Sequence, residues 1–372
     1  MNHLYSLDII RTLLCLLIVA HHVNSSFPSD GWLSSFFRIF GHASVSFFFV
    51  ISGFVLYLTF ASKAQSYFVL VWKRLKHIYP LHLLTLLVCI AIFQIFNISL
   101  AGYVGNPFGT FLNILLLHDW IPFHPEIRQA WNGVSWFLSA LFFCYLLYPF
   151  LFPKLKTLIV LTFTLWVCFS CYFFYDHING NTNYEFIYFS PVYRLIEFMI
   201  GGIACYFLKN LNDSTFFPVL GIFSLVLSIL FVAKGIQGGG VGFIITPFFA
   251  TIVLYLAKIE KAFNRVSSAS IPGLNIFLFI SGISFEIYMI HALVLGIIVA
   301  ANNKFSIMSE IDDFFTFSST YLSVNSRSSL ILSIYLIILI ITVLLSLIYK
   351  KILLRYKNSF NFNKLQNRLN KG

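Results

Sequence analysis

Ten stretches of about twenty predominantly apolar residues recur along this 372-residue chain, and that recurrence limits the fold more than any other feature. About twenty apolar residues in a helix cross the hydrocarbon core of a bilayer. The stretches fall near 7–27, 42–61, 78–97, 132–152, 157–175, 191–208, 216–234, 242–258, 275–300 and 330–349. Hydrophobic residues make up 59% of the chain and charged residues 10%, against about 25% charged in soluble domains. A soluble fold cannot hide that much apolar surface, because part of every chain must face water. The expected fold is all-α: a polytopic membrane helical bundle of about ten transmembrane helices.

The net charge of +11 does not point to nucleic acid. Its basic residues sit in short clusters between apolar runs, as the positive-inside rule produces. With a cytoplasmic N-terminus, the inside segments hold Lys63, Lys73, Arg74, Lys76, Lys154, Lys156, Lys209, Lys258, Lys261, Arg265, Lys350, Lys351, Arg355 and Lys357. The outside segments hold only Arg38, Arg128, Lys234, Lys304 and Arg327. Ten spans with both termini cytoplasmic satisfy that asymmetry. Residues 1–357 form the membrane domain and 358–372 a basic cytoplasmic tail.

The first stretch lacks a basic leader and a small-residue cleavage site, so it is expected to be retained rather than removed. Residues 98–131 contain Phe108–Leu117, an apolar run too short to span, expected as an interfacial or re-entrant helix. Residues 301–329 are polar, with Glu310, Asp312 and Asp313, and Gly238-Gly239-Gly240 reads as a turn. Cys168-x-x-Cys171 lies in an apolar run without acidic or His ligands, so buried packing is expected and no disulfide framework. His118 and His124 are close in sequence but have no ligand set for a metal.

Ionisable residues inside membrane spans are costly and mark function by default. Arg11 and His22 in the first stretch are eleven steps apart. At about 100° per residue that is three turns plus roughly 20°, so both face one way, about 16 Å apart along the axis. His21 points about 80° to the other side of Arg11's direction, which makes His22 the partner. Imidazole suits general-base work on a hydroxyl. A snorkelling arginine and a packing histidine would give the same spacing.

The second stretch carries small residues at Gly41, Ser44, Ser46, Ser52 and Gly53, which permit close helix approach. Lys73, Arg74, Lys76 and His77 precede the third; they suit a phosphorylated donor or plain lipid headgroups. Arg194 and Glu197 are spaced to pair. Glu286, Tyr288 and His291 share the ninth stretch, and the last two share a face.

Together these pieces resemble the acyltransferase-3 family of integral-membrane O-acyltransferases. Arg11 to His22 looks like the family's Arg-x10-His signature. Gly41-x-x-x-Val45-x-x-Phe48-Phe49-x-Ile51-Ser52-Gly53-Phe54 and Arg74-Leu75-x-x-Ile78-x-Pro80-Leu81 match its second and third motifs. Arg194-x-x-Glu197-Phe198-x-x-Gly201 and Ser284-Phe285-x-x-Tyr288-x-x-His291 match later ones, all in order over most of the chain. Many members follow a Trp-Ser-Leu stretch with Glu; this chain reads Trp136-Phe137-Leu138-Ser139-Ala140-Leu141 and lacks that Glu.

The resemblance implies a multi-pass protein of the cell membrane that moves an acyl group, commonly acetyl, from acetyl-CoA or a related acyl-CoA. The implied acceptor is a hydroxyl of a cell-surface or secreted saccharide or lipid-linked glycan. The expected partners are these substrates and membrane lipid, with no nucleic acid and no bound cofactor or metal. The expected catalytic residues are His22, as base or in an acyl relay, with Arg11, Tyr288 and His291. Arg74, Lys73 and Lys76 are the expected donor-binding residues. Arg194, Glu197, Ser52 and Gly53 are expected in the polar core. Ser44, Ser52, Tyr288 and His291 are the candidate oxyanion donors. A transporter or flippase would also bury charge, but it would show broken helices and repeats; a non-catalytic subunit of a polysaccharide assembly system is the other alternative.

Overall fold

The structure, a computed structural model, describes residues 4–27, 32–60, 67–97, 105–121, 123–179, 188–210, 215–233, 239–263, 273–305 and 326–359. Lys63, Lys234, Gly238, Arg265, Glu310, Asp312, Asp313 and the tail beyond 359 lie outside the described residues. Among the described residues every regular element is helical.

Three helices begin the chain: α1 (Tyr5–Ser26), α2 (Trp32–Phe60) and α3 (Tyr67–Phe96). Two short ones follow, α4 (Pro107–Ile114) and α5 (Pro125–Arg128), then α6 (Trp136–Leu151), α7 (Leu155–Ile178), α8 (Pro191–Asn210) and α9 (Phe216–Ala233). The chain continues through α10 (Gly239–Ile244), α11 (Thr246–Phe263), α12 (Leu274–Ser281), α13 (Ser284–Phe305) and α14 (Ser326–Ser359).

Eight helical stretches among the described residues are long and apolar enough to cross a membrane. One of them, Trp136–Ile178, is the pair α6–α7, joined by a 3-10 turn at Phe152–Lys154. The stretch expected at 242–258 is split instead into α10 and α11, and Lys258 and Glu260 charge its end. Helices α2 and α3 start about ten residues before the apolar stretches that signalled them. Lys73, Arg74 and Lys76 therefore belong to the first turns of α3, not to a loop.

Helices α1, α2 and α8 form the centre. Helix α2 packs against α1, α8, α10 and α11, while the other side of α1 packs on α12, α13 and α14. Only glycine allows the closest crossing. A β-carbon at Gly53 would stand 1.9 Å from the carbonyl oxygen of Phe198, and one at Gly201 would stand 2.0 Å from that of Val50. Small residues let membrane helices approach in this way. The start of α1 is closed by Glu260 of α11, whose carboxylate accepts from the Tyr5 amide at 2.6 Å and the Ser6 amide at 3.0 Å. An anion there satisfies otherwise orphaned N–H groups and faces the positive end of the helix dipole.

The outer faces of α3, α7, α9 and α14 expose large apolar side chains, among them Ile95, Val160, Val219 and Ile340. Contiguous apolar surface on this scale fits lipid, not water. Cys168 and Cys171 lie on such an outer face of α7, not in the packing expected of them, because α7 is peripheral and packs mainly on α8. All six cysteines are free thiols.

The segment after α3 is anchored by polar contacts. Asn106 caps α4 by accepting from the Gly109 amide at 2.6 Å, with Pro107 at the first helical position. His82 of α3 donates from Nε2 to the Asn113 carbonyl at 2.8 Å, and Asn113 donates to the Ala130 carbonyl at 3.2 Å. This anchoring carries residues 129–136 against α1 and α13.

Candidate active site

Two cavities lie toward opposite ends of α1. The larger, about 480 Å³, is enclosed by the C-terminal end of α1, α2, α13 and the 129–136 turn. His21, His22, His42, Asn132, Trp136 and Tyr188 contribute to its wall. The smaller, about 240 Å³, is lined by Arg11, Ser52, Arg74, His77, Tyr145 and Glu286, among others. Ile18 and Tyr288 line both.

The spacing on α1 explains this arrangement. Arg11, Ile18 and His22 follow at seven and four residues, so they form one stripe along the helix. Arg11 reaches the smaller cavity with its guanidinium 3.7 Å from Asp8. Asp8 also accepts from the Ser281 hydroxyl at 2.7 Å, which holds that carboxylate against α12. At the other end His22 meets α13: its Nδ1 is 3.3 Å from His291 Nε2.

The hydrogen-bond network assigns the tautomers. His291 Nδ1 lies 3.2 Å from the Ile287 carbonyl, which can only accept, so the His291 proton sits on Nδ1. Its Nε2 then carries a lone pair and accepts from His22 Nδ1–H. His22 is left with a lone pair on Nε2, the form a general base requires. When His22 gains a proton, His291 still accepts from it.

Tyr288 donates its hydroxyl to the Val134 carbonyl at 2.8 Å, and its ring lies 5.2 Å from Phe137. Its proton is thus engaged with the 129–136 turn. Ser44 is likewise engaged, donating to the Phe40 carbonyl at 2.7 Å, while Ser52 lines the smaller cavity. Arg74 lines that cavity with its guanidinium 5.7 Å from the Tyr145 ring. Lys73 and Lys76 are exposed and outside the lining, and the Lys76 ammonium sits over Trp72.

Arg194 and Glu197 form a fully buried ion pair at 2.7 Å. Arg194 also donates to the Ser46 hydroxyl at 3.1 Å and, through Nε and Nη2, to the Tyr188 carbonyl. The pair therefore ties α8 to α2 and fixes Tyr188 in the wall of the larger cavity. Gly53 sits at the α2–α8 crossing, away from both cavities.

Several residues at this site were set aside or passed over in the sequence, His21 among those set aside. His21 lines the same cavity as His22, 5.4 Å from it between ring centroids and 4.3 Å from His42. The cavity spans so much of α1's circumference that an offset of one residue still faces it. His42 stands inside the second motif, and its Nδ1 is bound to the Arg38 carbonyl at 2.9 Å. Arg128, expected as an outside loop charge, is buried with its guanidinium 3.7 Å from the Phe189 ring centroid.

Nearby, Asp119 and His118 are fully buried in the turn after α4. Burial pushes the Asp119 carboxyl well above the usual range, against the opposing pull of Arg128 and Arg194. Burial pushes His118 down to about 3. His118 is therefore neutral at pH 7.

The fold and site define an integral-membrane protein with a buried histidine pair, His22 and His291, beside the larger of two cavities along α1. The model of the acyltransferase-3 family, described as an acyltransferase domain, matches residues 4–360. The chain belongs to that family. It is 34% identical over 131 residues to acyltransferase MdmB of Streptomyces mycarofaciens, an alignment covering 34% of this chain and 32% of that protein. The chain thus spans about a third of the length of this curated relative. No solved structure matches it.

Proposed function

We propose that the chain moves an acyl group, most simply acetyl, from a cytoplasmic acyl-CoA to a hydroxyl of a cell-surface or secreted saccharide. The observation that carries this reading is the pair of cavities at opposite ends of the Arg11–His22 stripe, meeting at Ile18 and Tyr288. Coenzyme A is too polar to cross lipid, so donor and acceptor approach from opposite faces. The smaller cavity lies on the side rich in Lys and Arg, the cytoplasmic side by the positive-inside rule. At about 240 Å³ it falls below the roughly 300–1,000 Å³ of a drug-sized pocket. It takes the thioester arm, while the phosphates stay at the mouth against Arg74 and Arg11, with Lys73 and Lys76 adding attraction from outside.

In the larger cavity the acceptor hydroxyl gives its proton to His22 Nε2 as its oxygen attacks the thioester carbonyl. The carbon–sulfur bond then breaks, and the proton passes from His22 to the departing sulfur. The products are the ester and the free thiol. His291 orients His22 throughout, and the Arg194–Glu197 pair holds the wall.

Sealed membrane vesicles test this. Acetyl-CoA bearing a labelled acetyl group, supplied only on the cytoplasmic face, should give ester-bound label on glycan, and His22→Ala should abolish it. Label that appears equally with His22→Ala, or only when donor is on the outer face, would overturn the reading.

A further inference from the structure

Among the described residues the two cavities share two side chains, Ile18 and Tyr288, and both are fixed. Ile18 is 2% exposed, and a β-branched residue in a helix holds essentially one rotamer. Across from it, Tyr288 is tethered by its 2.8 Å bond to the Val134 carbonyl and flanked by Phe137. By helix geometry Ile18 lies about 10 Å along α1 from Arg11 and about 6 Å from His22. A thioester that enters beside Arg11 and reacts beside His22 must pass between these two side chains, acyl group first.

We infer that Ile18 and Tyr288 form an aperture that selects the donor by the cross-section of its acyl group; this rests on the acyl-CoA reading above. A straight chain threads a gap at one width whatever its length. A branch next to the carbonyl widens the group where the gap is set. Acetyl and propionyl donors therefore pass, and isobutyryl is excluded. Ile18 is the tunable side of the aperture, because Tyr288 also anchors the 129–136 turn. A single methylene of misfit in an apolar site discriminates about 10- to 200-fold.

The test follows release of coenzyme A thiol from acetyl-CoA and from isobutyryl-CoA in membranes holding the full chain. The His22→Ala rate is subtracted as background, so the readout counts transfer to any acceptor. The isobutyryl-to-acetyl rate ratio should rise at least tenfold in Ile18→Ala, with Ile18→Val between it and wild type. Leu14→Ala removes a buried side chain of the same helix that lines neither cavity, and it should leave the ratio unchanged. If Ile18→Ala does not accumulate, the graded change in Ile18→Val decides. A ratio that stays constant across the Ile18 series, or that moves equally in Leu14→Ala, would overturn the aperture alone. Absence of His22-dependent thiol release from wild-type protein would overturn the acyl-CoA reading and the aperture with it.

Discussion

Replacing Gly53 by alanine is expected to force α2 and α8 apart. The added methyl would stand 1.9 Å from the Phe198 carbonyl oxygen, where ordinary contact begins near 3.4 Å. The helices must therefore open by about 1.5 Å along that contact, and the obstacle is backbone, so no rotamer change relieves it. Overpacking a well-packed core costs about 1–3 kcal/mol. A purely backbone clash belongs at the upper end, about 3 kcal/mol. Gly201→Ala forces the same separation from the other side, against Val50 at 2.0 Å. The double variant Gly53→Ala/Gly201→Ala should then cost little more than the worse single, since neighbouring sites are not additive. SDS titration of purified protein in mixed micelles, followed by tryptophan fluorescence, reads the stability. Single variants within about 0.5 kcal/mol of wild type would refute the crossing. So would a double variant whose cost is the full sum of the singles.

Four further outcomes are expected. His291→Ala should lower kcat by tenfold or more, short of the roughly 10²–10⁴ expected for losing the base in His22→Ala; His291→Gln should recover part of it, because its amide can both donate to the Ile287 carbonyl and accept from His22. Arg74→Ala should raise KM for acyl-CoA with little change in kcat, whereas Lys76→Ala, outside the cavity, should change both less than twofold in steady-state assays. The stability of the protein should fall between pH 6.5 and about 3 because the unfolded chain binds a proton that buried His118 refuses. His118→Gln should remove up to about 1.4 kcal/mol per pH unit of that fall, as read by SDS titration across the window. In the proposed topology, cysteines placed at exposed Lys154 and Phe123 should react with an impermeant thiol reagent from opposite faces of the membrane.

The helices were legible because lipid imposes length and apolarity on each crossing, and Arg11–His22 because helical phase alone aligns them. The Arg194–Glu197 pair was legible for the same reason, being set by spacing within one helix. What was hidden depends on which element faces a side chain from elsewhere. Nothing local tells that His42 meets His21 across two helices, or that Arg128 folds under Phe189 instead of standing in a loop. The breaks at Ile245 and between α12 and α13 fall inside long apolar stretches, and only the short Thr246-Pro247 and Ser281-Gly282 signals mark them. Nor does sequence reveal that Tyr288 gives its hydroxyl to Val134, 154 residues away, and so shapes a passage instead of offering a free donor.

The central claim is that His22 drives transfer of an acyl group onto a surface saccharide. NMR of purified glycan, from cells making wild-type or His22→Ala protein at equal membrane abundance, tests it most directly. The account predicts ester signals in the wild type and their loss in the variant, with the esterified carbon marking the acceptor hydroxyl. Equal ester content in both would contradict it.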